Sequence, residues 1–403
     1  ALDSDIIFLI EGEEECGSRG FEAAVRAAKD KIGEVDWILL ANSYWLDDRI
    51  PCLTYGLRGV IHATVQVESS HPDLHSGVDG SAQLDESLKD LVMLLSTLTG
   101  KNGKVMIPGF YDPIPELSDE ERELYVDITT ALVQRNPELG DPAALASSLM
   151  RRWREASLTI HRFQTSGPDN ATIIPRLAKV ALSLRLVPNQ EANVVAEALT
   201  SYLHTQFNKL DSTNRLTVTV DHQAEPWLGD WTNEIFKTLE EAIMEAWGPI
   251  DQSRRRRSSA LPKVSIPSHR NKSGTENASP PSYFNSKLSP TTSSVLANGS
   301  IATPIDIAAT PTDLPSQLSS KLSTLSTNAE PARPPRRKPL YIREGGSIPA
   351  IRFLEKEFDA PAAQFPCGQA SDSAHLDKER FRLLNLYKSR DIFKKVFVDL
   401  PKK

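Results

Sequence analysis

Three consecutive carboxylates, Glu13-Glu14-Glu15, follow closely on the apolar run Ile6-Ile7-Phe8-Leu9-Ile10. Packed together, three glutamates repel one another unless a cation or partner charges offset them. Two readings are open at this point. The acids hold a metal ion, or they form a solvated loop whose charge favours the start of the next helix. The element that must position them is the apolar run. Ile6 to Ile10 predicts a fully buried strand of an α/β sheet, apolar on both faces. Gly12 allows a sharp turn after it. Open α/β sheets place their ligands at the carboxyl ends of such strands.

The chain has 403 residues, room for two domains, and 25 % of them are charged. A net charge of −7 and a pI near 5.7 give no support for nucleic-acid binding. Cys16, Cys52 and Cys367 are widely spaced, without metal-ligand spacing, which suits a reducing, cytoplasmic setting. No apolar run approaches the length of a membrane span. The sequence enters its first expected strand within five residues and does not begin with Met. It reads as a C-terminal fragment whose own N-terminal portion is missing.

Further elements follow from periodicity. Gly20 to Lys31 predicts a helix ended by Gly33, and Val35 to Ala41 a second buried strand leading to Asn42. Val60 to Ser69 alternates as a half-buried strand and opens a second domain. Leu84 to Leu98 and Asp119 to Gln134 predict helices packed on that domain's small sheet. Ala192 to Leu210, Thr232 to Trp247 and Arg380 to Leu400 predict further helices, and Leu216 to Val220 a strand. Residues 251–340 differ from the rest. They hold 18 Ser, 12 Pro and 13 Lys or Arg against five Asp or Glu. Such a stretch buries too little apolar surface to offset its ordering entropy, so it predicts a disordered insertion. Its Arg254-Arg255-Arg256-Arg257 tract reads as a solvated linker or a docking strip for an acidic partner.

Several motifs together resemble the M20 family of metallopeptidases, in its carnosinase and cytosolic nonspecific dipeptidase branch. They are Glu14-Glu15, Asp73-Leu74-His75-Ser76-Gly77, Arg343-Glu344-Gly345-Gly346-Ser347-Ile348-Pro349 and Ala374-His375. The resemblance implies an α/β catalytic domain with a mostly parallel central sheet, interrupted by an α+β dimerisation (lid) domain. Its parts fall at 1–59, 224–250 and 341–403 for the catalytic domain and 60–223 for the lid. It implies that Glu14 is the general base and that Glu15 bridges two divalent ions, expected to be zinc, with His375 as a further ligand. Adjacency serves this chemistry, one carboxylate holding metal while its neighbour takes a proton from water. Asn42 stands where the family has a metal-binding Asp, and a neutral amide is a much weaker ligand. His75 is implied to cross to a partner subunit and stabilise the oxyanion. Thr172, Arg185, Gly346 and Ser347 are implied to bind substrate, Arg185 pairing with a free carboxylate. The family's His-x-Asp pair precedes the double glutamate and has no match here, so the metal site is expected to be incomplete and the chain alone inactive.

Asn42 and the Pro366-Cys367-Gly368-Gln369 run are closer to a fungal branch concerned with glutathione degradation. That likeness implies a peptide or glutathione-like substrate, a homodimer through the lid, and a glutamine-amidotransferase-type partner. A free-standing dipeptidase and a non-catalytic scaffold bound to that partner are the alternatives.

Overall fold

The computed structural model describes residues 5–248 and 338–400. The Ser/Pro-rich stretch and its arginine tract lie outside the described residues, apart from 338–340, where Leu340 already opens a strand. The chain begins with two short helices, α1 (Phe21–Ala27) and α2 (Lys29–Ile32), closed by Gly33 at φ +76°. Strands β1 (Ile38–Ala41) and β2 (Cys52–Leu57) follow. Arg58 alone separates β2 from β3 (Gly59–Glu68), and there the chain passes from a first sheet to a second.

The next stretch carries β4 (Leu74–His75), α3 (Ser87–Ser96), α4 (Asp119–Arg135), α5 (Pro142–Trp153), β5 (Ser157–Thr165) and β6 (Ile173–Ile174). It ends with β7 (Leu177–Leu186), α6 (Ala192–Asn208) and β8 (Arg215–Ala224). The chain returns to the first sheet through β9 (Trp227–Leu228), α7 (Glu234–Trp247), β10 (Leu340–Glu344), α8 (Pro349–Phe358), β11 (Ala362–Phe365) and α9 (Leu383–Asp399).

The second sheet has the order β5-β7-β3-β8, every neighbouring pair antiparallel. Its alternation is that of a sheet with one buried face. Ile61, Ala63, Val65 and Val67 of β3 are buried, and His62, Thr64, Gln66 and Glu68 between and after them are half-buried. Leu91, Leu94 and Leu95 of α3 and Leu199 and Leu203 of α6 complete that core. This is the α+β unit to which the resemblance gives the role of a lid.

The first sheet runs β1-β11-β2-β10, with β9 added on β2. The β1–β11 and β2–β10 pairs are parallel, whereas β11–β2 and β2–β9 are antiparallel. Both faces are covered, which is why its strands are mostly apolar, with Thr54, Arg343 and Gln364 as buried polar exceptions. Leu53, Tyr55 and Leu57 pack against α7, α8 and α9 through Phe236, Ile351 and Ile392. On the other face Cys52 and Ile342 meet Tyr125, Ile128 and Trp153.

That second contact corrects one expectation. The helix predicted at 119–134 forms, capped by the Ser118 hydroxyl, which accepts from Glu121 N at 3.1 Å. It packs with α5 on the first sheet, not on the lid sheet. An amphipathic helix announces an apolar face but not the surface it will cover. The region expected as the lid thus contributes two helices to the layers around the first sheet.

A second expectation fails outright. Ile6 to Ile10 forms no strand and is not buried: Phe8 is 73 % exposed and Ile10 93 %. An apolar run becomes a strand only when a neighbour completes its hydrogen bonds. Among the described residues none pairs with this segment, and the edge strand β1 has β11 as its one neighbour. Phe8 instead meets Phe397 of α9 edge-on, at 6.3 Å between ring centroids.

Candidate functional site

The acidic stretch ends in one turn of 3₁₀ helix, Glu14–Cys16, closed by Gly17 at φ +93°. Gly17 N donates to Glu14 O at 3.1 Å, and Ser18 N to Glu13 O at 2.9 Å. This turn aims Glu14 and Glu15 at the far end of the chain. Glu15 Oε2 lies 3.4 Å from His375 Nε2. Glu14 is half-buried beside them. Burial first, then the negative charges of Glu15 and Glu11, raise its carboxyl above the ordinary glutamate range, against the opposing influence of His375.

The route to His375 is fixed by the parallel strands β1 and β11. Their register, Ala41 opposite Phe365, carries on past both carboxyl ends. Trp45 N donates to Gly368 O at 3.1 Å and Gly368 N to Ser43 O at 3.0 Å. Beyond it Gln369 and Asp372 form a reciprocal capping box, Gln369 N donating to Asp372 Oδ2 at 2.9 Å. Ser373 and His375 then both adopt positive φ, +59° and +63°. Non-glycine residues pay conformational strain there, which persists only where surroundings impose it. Asn42 stands half-buried just past the carboxyl end of β1, next to Ser43. Among the described residues, no three His, Cys, Asp or Glu side chains gather closely enough to enclose an ion.

A second carboxylate lies at the end of β10, and sequence reasoning passed over it. Glu344 Oε1 accepts from Ser43 Oγ at 2.6 Å and from Thr54 Oγ1 at 2.8 Å. Burial raises its carboxyl, and the two hydroxyls pull it back. The signal was available: an acid between an apolar strand and a glycine pair repeats the pattern noted at Glu14. Next to it, Arg185 Nη1 donates to Ser347 Oγ at 3.4 Å. Gly346 is exposed, and its carbonyl accepts from Arg58 N at 3.1 Å. Ser347 leads directly into α8, a 10-residue helix with Pro349 in its first turn.

His75 and Thr172 meet in the lid. His75 pairs with Ile173 across β4 and β6, and Ser76 N donates to Thr172 O at 2.9 Å. Gly77 N donates to His75 Nδ1 at 3.1 Å, so the neutral ring carries its proton on Nε2, free to donate. Thr172 Oγ1 donates to Asn170 Oδ1 at 2.9 Å. Among the described residues the hydrogen bonds of this pair stay within the lid, away from Glu14, Glu15 and His375. Asp73 holds the pair together. Its Oδ1 accepts from Ser166 Oγ and from Arg176 N, the latter at 2.7 Å. Asp73→Ala is expected to cost about 1 kcal/mol, the net value of an exposed hydrogen-bonded anchor. Hydrogen–deuterium exchange should show faster exchange at Ser76 and Thr172.

No family model matches the chain. It is 33 % identical over 398 residues to the probable di- and tripeptidase DUG2 of Saccharomyces cerevisiae, a match covering 98 % of this chain and 34 % of that protein. It is 32 % identical over 256 residues to the Cys-Gly metallodipeptidase DUG1 of Candida albicans, covering 62 % and 53 %. Among solved structures, the dipeptidase Dug1p from Saccharomyces cerevisiae superimposes with a TM-score of 0.63 at 22 % identity, over 97 % of this chain and 65 % of that one. The M20 family metallo-carboxypeptidase Sso-CP2 from Sulfolobus solfataricus gives 0.60 at 19 %, over 96 % and 68 %. The chain thus spans a third to about half the length of these two relatives.

Proposed function

The chain belongs to the M20 family of metallopeptidases, and from that premise we propose that it is a metal-dependent peptidase acting on short peptides, in glutathione or Cys-Gly breakdown. One observation carries the reading: Glu15 and His375, from opposite ends of the sequence, stand 3.4 Å apart with Glu14 beside them. Two donors that share a tetrahedral ion, each about 2.0–2.2 Å from it, lie about 3.4 Å apart. A carboxylate and an imidazole are also donors that zinc accepts. Glu15 and His375 would hold the ion, with Asn42 as a weak further donor. A pair of ions, expected to be zinc, is the finer form of this proposal.

When bound, the ion supplies Lewis acidity toward the peptide carbonyl and acidifies water. The chain's own groups do the rest. Glu14, left free of the Glu15–His375 contact, takes the proton from the attacking water and passes it to the leaving amine. His75 Nε2–H donates to the oxygen that becomes negative. Its hydrogen bonds run to Asp79 and Gly77 of its own loop, and the proposal delivers it from the lid of a second subunit, in a homodimer. Arg185, Ser347 and the Gly346 backbone, with Thr172, fix the free carboxylate of the peptide. Fixing it far from the scissile bond sets the distance at which the bond is presented. No helix among the described residues is long and apolar enough to cross a membrane. Work in the cytoplasm, which the sparse cysteines suit, is part of the proposal.

Calorimetric titration of zinc or manganese tests the ligand assignment without any assay of hydrolysis. Glu15→Ala and His375→Ala should each weaken binding at least about 10-fold, since even outer-sphere partners are worth that much. Unchanged affinity in both variants would remove the metal reading. A second reading keeps the fold as a scaffold for a glutamine-amidotransferase-type partner. The neutral Asn42 at a strand end favours it. It requires that Glu14 be dispensable.

A further inference from the structure

We infer that Arg58 and Arg185 form a two-guanidinium anion subsite beside the glycine loop, selecting substrates that carry a second carboxylate. The inference rests on the peptidase reading and deepens it. Arg58 occupies the single-residue step between the two sheets. Its Nε donates to Gly345 O at 3.2 Å and its Nη1 to Glu155 O at 3.4 Å. Arg185 lies opposite Val60, two residues beyond Arg58, so both arginines come to the same end of the lid sheet. Both flank the same loop, Arg58 at Gly345 and Arg185 at Ser347.

Among the described residues, the partners of the two guanidinium groups are backbone carbonyls and one hydroxyl, not carboxylates. Two half-buried positive charges therefore stand together without an anion. Burial, and for Arg58 also the charge of Arg185, lowers both, Arg58 to about 10. The carboxylate on this face, Asp221, accepts from Thr64 Oγ1 at 2.7 Å and has no hydrogen bond with either arginine among the described residues. His62 stands opposite Ser183 on β7 and His222 on β8.

One ligand carboxylate on Arg185 and Ser347 leaves Arg58 uncompensated. A guanidinium has five N–H donors, and Arg58 uses two on carbonyls, so three remain for a second carboxylate. The loop is shaped for this closeness. A Cβ on Gly345 would lie 3.1 Å from Arg58 Nη2 and 3.2 Å from Arg152 O. The subsite thus suits a peptide with an acidic side chain or branch near its free carboxyl end.

Glutarate and pentanoate share a five-carbon chain and differ by one carboxylate. Titrated calorimetrically into the whole chain at low salt, glutarate should bind about 10-fold tighter or more, the worth of one charge-assisted hydrogen bond. Arg58→Met should bring that ratio towards one by weakening glutarate, and Arg185→Met should weaken both ligands. Equal affinities in the unaltered protein, or no glutarate binding at tens of millimolar, would overturn the subsite. So would an Arg58→Met protein that folds and loses both ligands equally. If Arg58→Met does not fold, Arg58→Gln keeps a donor without the charge and is read the same way. The titration needs neither metal nor hydrolysis. It can fail while Cys-Gly cleavage succeeds, and succeed where cleavage is absent.

Discussion

Glu14→Gln should lower Cys-Gly hydrolysis by roughly 10²- to 10⁴-fold in any preparation whose unaltered protein shows that activity, the usual contribution of a positioned general base. Divalent metal binding should change little. The substitution keeps the shape of the side chain and removes its ability to accept a proton. Geometry makes the two effects separable. Glu15 is the carboxylate that reaches His375, at 3.4 Å, whereas Glu14 stands beside that contact, half-buried. If Glu14 were the ligand instead, the variant would lose metal and activity together. A scaffold would show neither loss. Steady-state rates and metal content on the same preparation distinguish the three cases. A variant with full activity would end the assignment of Glu14 as base, whereas an unaltered protein that binds no metal and cleaves no Cys-Gly would favour the scaffold.

What the sequence disclosed depended on how local the cause was. The double glutamate and the distant histidine are legible as motifs, and the structure puts Glu15 beside His375. What they do there remains the proposal. The alternation of β3 is legible because period-2 burial is a local property. The fate of Ile6 to Ile10 is not, because an apolar run cannot state whether a neighbouring strand exists. The packing of α4 is hidden for a similar reason. Its apolar face suits either sheet, and Tyr125 and Ile128 find Cys52 and Ile342 of the first. Glu344 and Arg58 were missed because their partners are remote in sequence. Ser43 and Thr54 meet Glu344 from near the other end of the chain, and Gly345 meets Arg58 across the same gap. A motif read for its glycines and serine does not show which of its charges will be enclosed.

The enclosed charge with the largest expected effect on stability is Glu121. Its side chain is 6 % exposed and holds two guanidinium groups. Arg343 Nη2 lies 2.8 Å from Oε1, and Arg154 Nε 3.2 Å from Oε2. The Tyr55 hydroxyl adds a long donation at 3.4 Å, and the Arg343 guanidinium sits 5.3 Å from the Tyr55 ring centre. Assembling such a cluster gains little, because desolvation of each charge consumes most of the attraction. Dismantling it from one side is another matter. Glu121→Ala strands two arginines in a place they cannot leave, at an expected cost of about 3–5 kcal/mol. Urea unfolding should show this as a lower midpoint at unchanged slope. Glu121→Ala combined with Arg343→Met removes one of the stranded charges and should recover part of the loss. A single-variant loss below about 1 kcal/mol would mean that water reaches the cluster, as it reaches exposed pairs. The consequence extends past stability. Arg343 precedes Glu344 and the glycine loop in β10, so this ion cluster ties α4 and α5 to the strand that presents them. Loosening Glu121 should therefore weaken glutarate binding at Arg185 and Ser347 even in the fraction of molecules that remains folded.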